Sequence, residues 1–286
     1  MEIIWLYVII VILNKIGLGI VTCNRENFYK QCYESVPLDV VDKLITINDG
    51  AELKEKYPHT VIHTHDKNKG VGISKNEAMQ YLLDEGCEHI FLIEDDIIIK
   101  EKNVFQKYID TATVSGLWHL MYGYHGPANK TENKNPNPRL IIDYKDHQVA
   151  LNQHCVGAFC YYHKGVLNNI GLMDEMFKNA WEHVEHSYQI VKAGLLPGYW
   201  WWPDVANSYE YLDELACSEE NSTIRWEDEK KKIPKRDWQE NIQKGAQHFY
   251  NKHGTTPVAV SDQSVDMIQS KLKLIKERYS RCESRV

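Results

Sequence analysis

The chain has 286 residues, of which 43% are hydrophobic and 26% are charged, as is ordinary for a globular protein with one large domain. Its formal net charge of -7 argues against a general nucleic-acid-binding protein, because such proteins need a basic surface to neutralise phosphates. The seven cysteines are odd in number and form no CxxC pair, which argues against a zinc site and favours a reducing compartment, the cytoplasm.

An apolar segment lies at the start of the sequence. Residues 3–13 are continuously apolar, but a membrane-spanning helix needs roughly 20 such residues. The flanks do not match a secretory signal, so we predict that residues 1–15 pack on the domain or lie at a membrane surface. The glycosylation sequons at Asn129 and Asn221 would matter only in a secretory lumen.

Strand-like and helix-like segments then alternate up to residue 96. Hydrophobic patterning predicts strands at 16–22, 43–47, 60–64 and 89–93, and a helix at 74–85 with Gly86 as its end. This order is typical of parallel β-α-β units with helices on both faces of the sheet. Ligands of such sheets bind beyond the carboxyl ends of the strands, where the polar runs 22–25, 48–50 and 94–96 fall.

The second half of the chain is predicted to continue with a long loop. Residues 125–147 are rich in Asn, Pro and Lys, which indicates a loop over a site. Apolar residues 156–162 follow, with helices at 164–170 and 181–193 and a strand at 199–202 that ends at a proline. The chain becomes charged past residue 214, and we predict a last helix at 264–281.

The run Glu94-Asp95-Asp96 gives the strongest chemical signal. Adjacent carboxylates at a strand end repel one another unless a cation lies between them, and hard divalent cations prefer oxygen ligands. We therefore predict Mn²⁺ or Mg²⁺ as a cofactor here, bridging a diphosphate, with a solvated acidic turn as the alternative.

Short motifs in a fixed order resemble those of family 2 glycosyltransferases. Residues 19–25 (GIVTCNR), 47–50 (INDG), 68–70 (NKG), 74–76 (SKN) and 93–96 (IEDD) resemble the family's P-T-Y-N-R, D-D-G, N-x-G, A-R-N and E-D-D motifs. Residues 157–159 (GAF), 170–177 (IGLMDEMF) and 181–185 (WEHVE) resemble its G-G-A, G-G-F-D-E-x-F and W-x-E-D-x-E motifs. The resemblance covers residues 16–210.

This resemblance implies an α/β fold of the GT-A type, a Rossmann-like mixed sheet that is mostly parallel and flanked by helices. The predicted GT-A domain spans residues 16–225, with a nucleotide-sugar-binding half at 16–100 and an acceptor half at 101–225. Residues 1–15 are the apolar N-terminal segment, and residues 226–286 form a charged C-terminal helical extension.

The resemblance also implies a set of donor-binding residues, which are Thr22, Asn24, Arg25, Asp49, Lys75 and Asp95. Asp49 would accept a hydrogen bond from the base. Lys75 stands where the family commonly has Arg, and would meet phosphate as a point charge. Asp96 would bind the metal directly, with Asp95 on its ribose or metal side.

The main departure from the family lies at the predicted catalytic base. His183 replaces the family's Asp, and a neutral imidazole can act as a base near pH 7. Glu182 or Glu185 could be the base instead, and a salt-bridged structural helix is the non-catalytic alternative. Gly157, Trp181 and Glu185 would lie on the acceptor side.

A third metal ligand is not apparent from the resemblance. Many family members have a His just after the strand that corresponds to residues 199–202, where this chain has none. Asp204, Asn207 or water could replace it, with His248 and His253 as further candidates.

The motifs predict an inverting, metal-dependent hexosyltransferase that moves a sugar from a nucleotide diphosphate, typically UDP, to a hydroxyl of a glycan or glycoconjugate in polysaccharide biosynthesis. We expect no nucleic-acid partner and a peripheral membrane contact, and the sequence indicates no oligomeric state. Two alternatives stay open: a non-catalytic sugar- or nucleotide-binding degenerate transferase, and a sugar nucleotidyltransferase, although the expected glycine-rich loop is missing after Ile20.

Overall fold

A six-stranded mixed sheet forms the centre of the computed structural model, which describes residues 15–215, 222, 224–228, 233–258 and 263–283. Its strands are, in spatial order, β3 (Val61–Thr64), β2 (Lys43–Asn48), β1 (Ile16–Thr22), β4 (His89–Glu94), β9 (Phe159–His163) and β6 (His119–Met121). The strands from β3 to β4 are parallel, and β9 is antiparallel to both β4 and β6. The predicted mostly parallel α/β sheet is therefore confirmed.

Shorter strands surround this sheet. A second, antiparallel sheet consists of β10 (Trp202–Val205), β8 (His147–Asn152) and β7 (Leu140–Tyr144). Two further antiparallel pairs are β5 (Ile97–Ile99) with β11 (Leu212–Glu214), and β12 (Trp226–Asp228) with β13 (Ile233–Pro234).

The helices are α1 (Glu26–Ser35), α2 (Val71–Asp84), α3 (Val104–Ser115), α4 (Lys164–Ile170), α5 (Glu182–Lys192), α6 (Arg236–His253) and α7 (Val265–Glu283), with a short 3₁₀ turn at Ser208–Glu210. Within the described ranges, no helix combines the length and the apolar character that a membrane crossing requires.

Close packing of α2 on β1 builds the part of the core that lies next to the carboxyl ends of the parallel strands. Every residue of β1 is buried, as expected of a central parallel strand covered on both faces. A Cβ at Gly19 would lie 2.8 Å from Ala78 Cβ, so glycine allows the helix and the strand to approach this closely. This contact fixes where α2 places its polar side chains relative to the strand ends.

Most predicted elements are found, and β1 and α4 have the predicted bounds. The predicted loop at 125–147 is wrong in part, because it contains β7 and the first residue of β8. The strand predicted at 199–202 is also shifted, since β10 begins at Trp202 and continues through Pro203. Proline is tolerated there because β10 lies at the edge of its sheet, where one row of N–H groups needs no partner strand.

Several predictions concern chemical modification of the chain. No disulfide joins any of the cysteines whose side chains the structure describes. Asn129 is buried, and its Nδ2 donates to the carbonyl oxygens of Gly123 and His154, so this folded sequon cannot accept a glycan. Residues 1–14 and the sequon at Asn221 lie outside the described residues.

Candidate active site

A cavity of about 430 Å³ lies at the carboxyl edge of the parallel strands. Because β1, β2 and β4 run in the same direction, the residues at their ends, Thr22, Asp49 and Asp95, line one cavity. The rest of its wall comes from residues 21, 23, 25, 71, 94, 125–128, 155–158, 179–184, 222, 224–225, 238 and 242. The charged C-terminal extension thus contributes Trp238 and Ile242 to the same cavity.

Asp96 and His125 form a candidate metal site. Asp96 is fully buried, and its Oδ1 has no hydrogen-bond partner among the described residues. His125 Nε2 is also buried and lies 3.3 Å from that oxygen, an ion-pair contact when the imidazole is protonated, but the two atoms are not aligned for a regular hydrogen bond. Buried polar atoms are costly when unsatisfied, and a carboxylate oxygen with an imidazole nitrogen is a common donor set for divalent metals. These residues therefore fit the predicted ion.

Glu214 offers a third candidate ligand, a second carboxylate, next to His125. Its Oε2 lies 3.8 Å from His125 Nε2, although the same carboxylate accepts hydrogen bonds from Gly126 N and Lys130 Nζ. Burial by itself lowers the pKa of His125, but the nearby carboxylates of Asp96, Glu94 and Glu214 outweigh it and raise that pKa. The site is therefore one that attracts positive charge.

Asp95 is directed toward Thr22 and Arg25 instead of toward His125. Thr22 Oγ1 donates to Asp95 Oδ2 at 2.7 Å, and the Arg25 guanidinium pairs with both Asp95 oxygens. The same guanidinium lies 3.4 Å from Asp96 Oδ2. Burial raises the pKa of Asp95 to about 7, with Arg25 lowering and Asp96 raising it. Arg25 thus neutralises one side of the acidic run, and Asp96 Oδ1 stays available on the other.

Lys75 lies behind the cavity wall, so its predicted phosphate contact needs correction. Its Nζ donates to Glu94 Oε1 at 2.8 Å and to the Gly157 carbonyl at 2.9 Å, and the side chain is 1% exposed. Burial lowers the pKa of Lys75, but Glu94 and Glu182 together raise it above its ordinary value. The packing of α2 on the sheet directs this cation inward, where it compensates buried carboxylates.

Glu182 and His183 form a carboxylate–imidazole pair at the start of α5. His183 Nδ1 lies 2.9 Å from Glu182 Oε1, and both residues line the cavity. A carboxylate at Nδ1 holds the proton on that nitrogen and leaves the lone pair on Nε2. Burial raises the pKa of Glu182, but His183 and Lys75 lower it below its ordinary value, so the carboxylate stays ionised at neutral pH. His183 Nε2 is therefore the candidate base.

Gly157 and Trp181 form the wall beside this pair. A Cβ at Gly157 would lie 2.7 Å from His183 Cγ, so a side chain there would displace the imidazole. Trp181 precedes α5 in a left-handed conformation, with a φ of 72°, and its Nε1 donates to the Ile242 carbonyl at 3.1 Å. The predicted acceptor-side residues Gly157 and Trp181 therefore line the cavity together with the candidate base His183.

Glu185 does not line the cavity and its carboxylate is paired with α6, which argues against its predicted acceptor-side role and against its being the base. Its Oε1 pairs with His253 Nε2 at 2.8 Å and with Lys252 Nζ at 3.0 Å. The carboxylate is fully buried in this cluster. Glu185 instead connects α5 to α6.

Asn24 and Asp49 both hold turns at the strand ends. Asn24 is exposed, has a φ of 58°, and accepts a hydrogen bond from Ala51 N at 2.8 Å. The two Asp49 oxygens accept hydrogen bonds from His65 Nδ1, Asn68 Nδ2, Lys69 N and Gly70 N. Four donors use the capacity of a carboxylate, so a nucleotide base would have to compete with the loop for Asp49.

The other predicted third metal ligands have partners elsewhere. Asp204 accepts hydrogen bonds from Tyr108 and Ser208, Asn207 donates to Glu210, His248 contacts Asp174, and His253 contacts Glu185. The structure instead brings His125 to Asp96 and places Glu214 beside His125. Neither residue was predicted from the sequence, because a lone His or Glu in a polar stretch has no characteristic spacing from the acidic run.

No protein-family model and no curated protein matches this sequence. Among solved structures, the chain is similar to the mannosyltransferase PcManGT from Pyrobaculum calidifontis in complex with GDP-Man and Mn²⁺. The identity is 10% over 93% of this chain and 70% of that chain, with a TM-score of 0.47.

Two further solved structures are similar. S. aureus TarS 1-349 is 15% identical over 61% of this chain, with a TM-score of 0.43, and the match spans 55% of the TarS chain. Drosophila β-1,4-galactosyltransferase 7 in complex with manganese, UDP-Gal and xylobiose is 13% identical over 88% of this chain and 90% of that chain, with a TM-score of 0.40. At such identities the likeness concerns the fold alone.

Proposed function

We propose that the protein is a metal-dependent glycosyltransferase that uses a nucleotide diphosphate sugar. The supporting observation is that one cavity is lined both by His125, which contacts the buried Asp96 behind it, and by the Glu182–His183 pair. A cavity of about 430 Å³ is of the size that small-molecule ligands occupy. The order of the sequence motifs further supports a UDP-sugar donor.

Asp96, His125 and Glu214 would hold the ion. An imidazole nitrogen in the donor set favours Mn²⁺ over Mg²⁺, which strongly prefers oxygen ligands. The bound ion would neutralise charge on the diphosphate leaving group. Arg25 supports this site by pairing with Asp95 and Asp96 Oδ2, so the charges of the acidic run are partly balanced before any ligand binds.

His183 would activate the acceptor. Its Nε2 takes the proton of an acceptor hydroxyl, the hydroxyl oxygen attacks the anomeric carbon, and the nucleotide diphosphate departs with the electrons of the broken bond. Glu182 keeps Nδ1 protonated and stabilises the imidazolium that forms. Attack opposite the leaving group inverts the anomeric centre.

The motifs and the composition support a proposal for the acceptor class and for the location of the protein. We propose a glycan or glycoconjugate acceptor in polysaccharide biosynthesis, and a cytoplasmic protein whose apolar segment 1–15 meets a membrane surface. Trp181 and Trp238 line the cavity, and aromatic faces suit the apolar faces of sugars. Co-sedimentation of the full chain with lipid vesicles tests the membrane contact, and no binding would refute it.

A non-catalytic binding protein is the second candidate. It is favoured by the arrangement of the two cations near the acidic run, because Arg25 already pairs with Asp95 and Lys75 with Glu94. In such a protein, nucleotide sugars would bind to the cavity without turnover.

A donor-hydrolysis screen separates these candidates. Purified protein is incubated with UDP- and GDP-sugars in Mn²⁺, Mg²⁺ or EDTA, and released nucleotide is measured. We expect Mn²⁺-dependent release from one donor, and loss of about 10²-fold or more in Asp96→Asn and His125→Gln, since metal stabilisation is worth several kcal/mol. Asp146→Asn, which removes an exposed carboxylate, serves as the control.

The outcomes differ clearly. Turnover in EDTA, or wild-type rates in Asp96→Asn, would refute the metal role. Donor binding with no release in any metal would support the binding protein instead.

A further inference from the structure

His63, His65 and Glu77 bring three metal-binding atoms together outside the cavity. His63 belongs to β3 and His65 follows it, so their side chains leave the same side of the chain. Glu77 faces them from α2. His63 Nδ1, His65 Nε2 and the Glu77 carboxylate all lie within 4.8 Å of one another.

The two imidazole nitrogens converge on one carboxylate oxygen of Glu77. Glu77 Oε2 lies 2.8 Å from His65 Nε2 and 3.1 Å from His63 Nδ1. The other oxygen, Oε1, accepts a hydrogen bond from Lys69 Nζ at 2.8 Å. The carboxylate is therefore held by Lys69 on one side and presents its second oxygen to both imidazoles.

His65 is oriented for metal binding by Asp49. Its side chain is fully buried, and Nδ1 lies 2.7 Å from Asp49 Oδ1. If Nδ1 donates to Asp49, the lone pair of Nε2 faces that of Glu77 Oε2, and the two repel each other unless a proton or a metal ion lies between them. A carboxylate on the second ring nitrogen is also the usual support of a metal-binding histidine.

We propose that His63, His65 and Glu77 bind a divalent transition-metal ion of the zinc class, separate from the proposed Mn²⁺ site of the cavity. The cysteine pattern argued against a zinc site, but this site needs no cysteine ligand. Two nitrogens and one oxygen suit such an ion better than Mg²⁺ or Ca²⁺. The His63 side chain is 54% exposed, so solvent reaches the site and water can complete a tetrahedral shell.

An ion at this site would also stabilise the part of the cavity wall that Asp49 forms. Asp49, which supports His65, also accepts hydrogen bonds from the backbone nitrogens of Lys69 and Gly70 just before α2. An ion on His65 would hold β3, this turn and α2 together. Because it binds the folded state, it would raise thermal stability.

Calorimetric titration of the metal-free full chain with Zn²⁺ tests this proposal, with Mg²⁺ present in excess. We expect His63→Ala to weaken binding about tenfold or more and to abolish the Zn²⁺-induced rise in Tm, because one of three protein ligands is lost. His59→Asn is the matched control, since it removes an exposed imidazole from the same segment and asparagine tolerates its φ of 69°.

If the two sites are separate, the His125→Gln protein still binds Zn²⁺ at His63, His65 and Glu77. It loses only the Zn²⁺ that binds in the cavity. Zn²⁺ binding that is equal in wild-type protein and His63→Ala would overturn the proposal, as would binding lost only in His125→Gln. The readout is metal binding, so it stands even if the protein transfers no sugar.

Discussion

His183 and Lys75 show how neighbouring charges assign roles to single residues. Lys75 has the charge that a phosphate contact requires, but its ammonium lies 2.8 Å from Glu94 Oε1 and is almost fully buried. His183 departs from the family's motif, yet Glu182 orients its ring and 23% of its side chain is exposed. The partner of each side chain, rather than its type, therefore decides whether it can meet a ligand.

Replacing His183 with Ala tests the base. We expect kcat to fall by about 10²–10⁴-fold, which is the usual contribution of general base catalysis, with little change in donor affinity. Steady-state kinetics with a transferable donor and its acceptor provide the measurement, and His59→Asn is the control for loss of an imidazole. A near-wild-type kcat would exclude His183 as the base.

Helix α6 shows how an element from the charged extension completes the cavity. Trp238 and Ile242 line it, and the Ile242 carbonyl accepts the Trp181 Nε1–H hydrogen bond. At Gly245, α6 packs tightly on the residue before α5. A Cβ on Gly245 would lie only 2.9 Å from Trp181 Cδ1. The helix thus supports the wall that carries the predicted acceptor residues.

Replacing Gly245 with Ala should weaken this packing. Alanine favours a helix by about 1 kcal/mol, but overpacking typically costs about 1–3 kcal/mol, so we expect a net loss of about 1 kcal/mol in unfolding free energy. The acceptor KM should rise as Trp181 shifts. Denaturant unfolding and acceptor kinetics measure the two effects. The exposed Gln243→Ala serves as the control, and a Gly245→Ala protein more stable than wild type would contradict the close contact.

At the scale of the whole molecule, ion pairs hold the C-terminal extension to the rest of the protein. Asp174 contacts Lys252 Nζ at 2.7 Å and His248 Nε2 at 2.9 Å, and the buried Glu185 also contacts Lys252. Burial raises the pKa of Asp174, but Lys252 and His248 outweigh it and lower the pKa to about 2. These contacts join residues on the two sides of residue 225, where the GT-A domain is predicted to end. That domain boundary stays a prediction.

This depressed pKa predicts how stability depends on pH. Because the folded pKa lies below the unfolded value of about 3.9, the contribution of Asp174 is present above pH 4 and is lost as pH falls toward about 2. Asp174→Asn should lose about 1 kcal/mol at pH 7, since solvent screens part of the pair. Unfolding measured from pH 7 to pH 2 should show a shallower decline in the variant. Parallel curves for both proteins would contradict this role.

Local patterns predicted much of the fold. β1 and α4 have the predicted bounds, because the apolar run of β1 and the Gly171 end of α4 are visible in the chain itself. Helix α6 was not predicted as a separate helix, since only Gly245 and Phe249 of its residues are buried and its surface is highly charged. β7 was predicted as loop because polar residues surround it.

The sequence by itself determined the α/β alternation and the placement of polar runs at strand ends, since both depend on residues close together in the chain. Parallel pairing then brings those strand ends to one edge of the sheet. Thr22 and Asp95 were therefore expected to lie together at the ligand-binding edge. Only the tertiary structure decided that Asp96 faces His125, that Lys75 pairs with Glu94, and that His63 meets Glu77. Such contacts depend on strand register and helix packing, which no local pattern encodes.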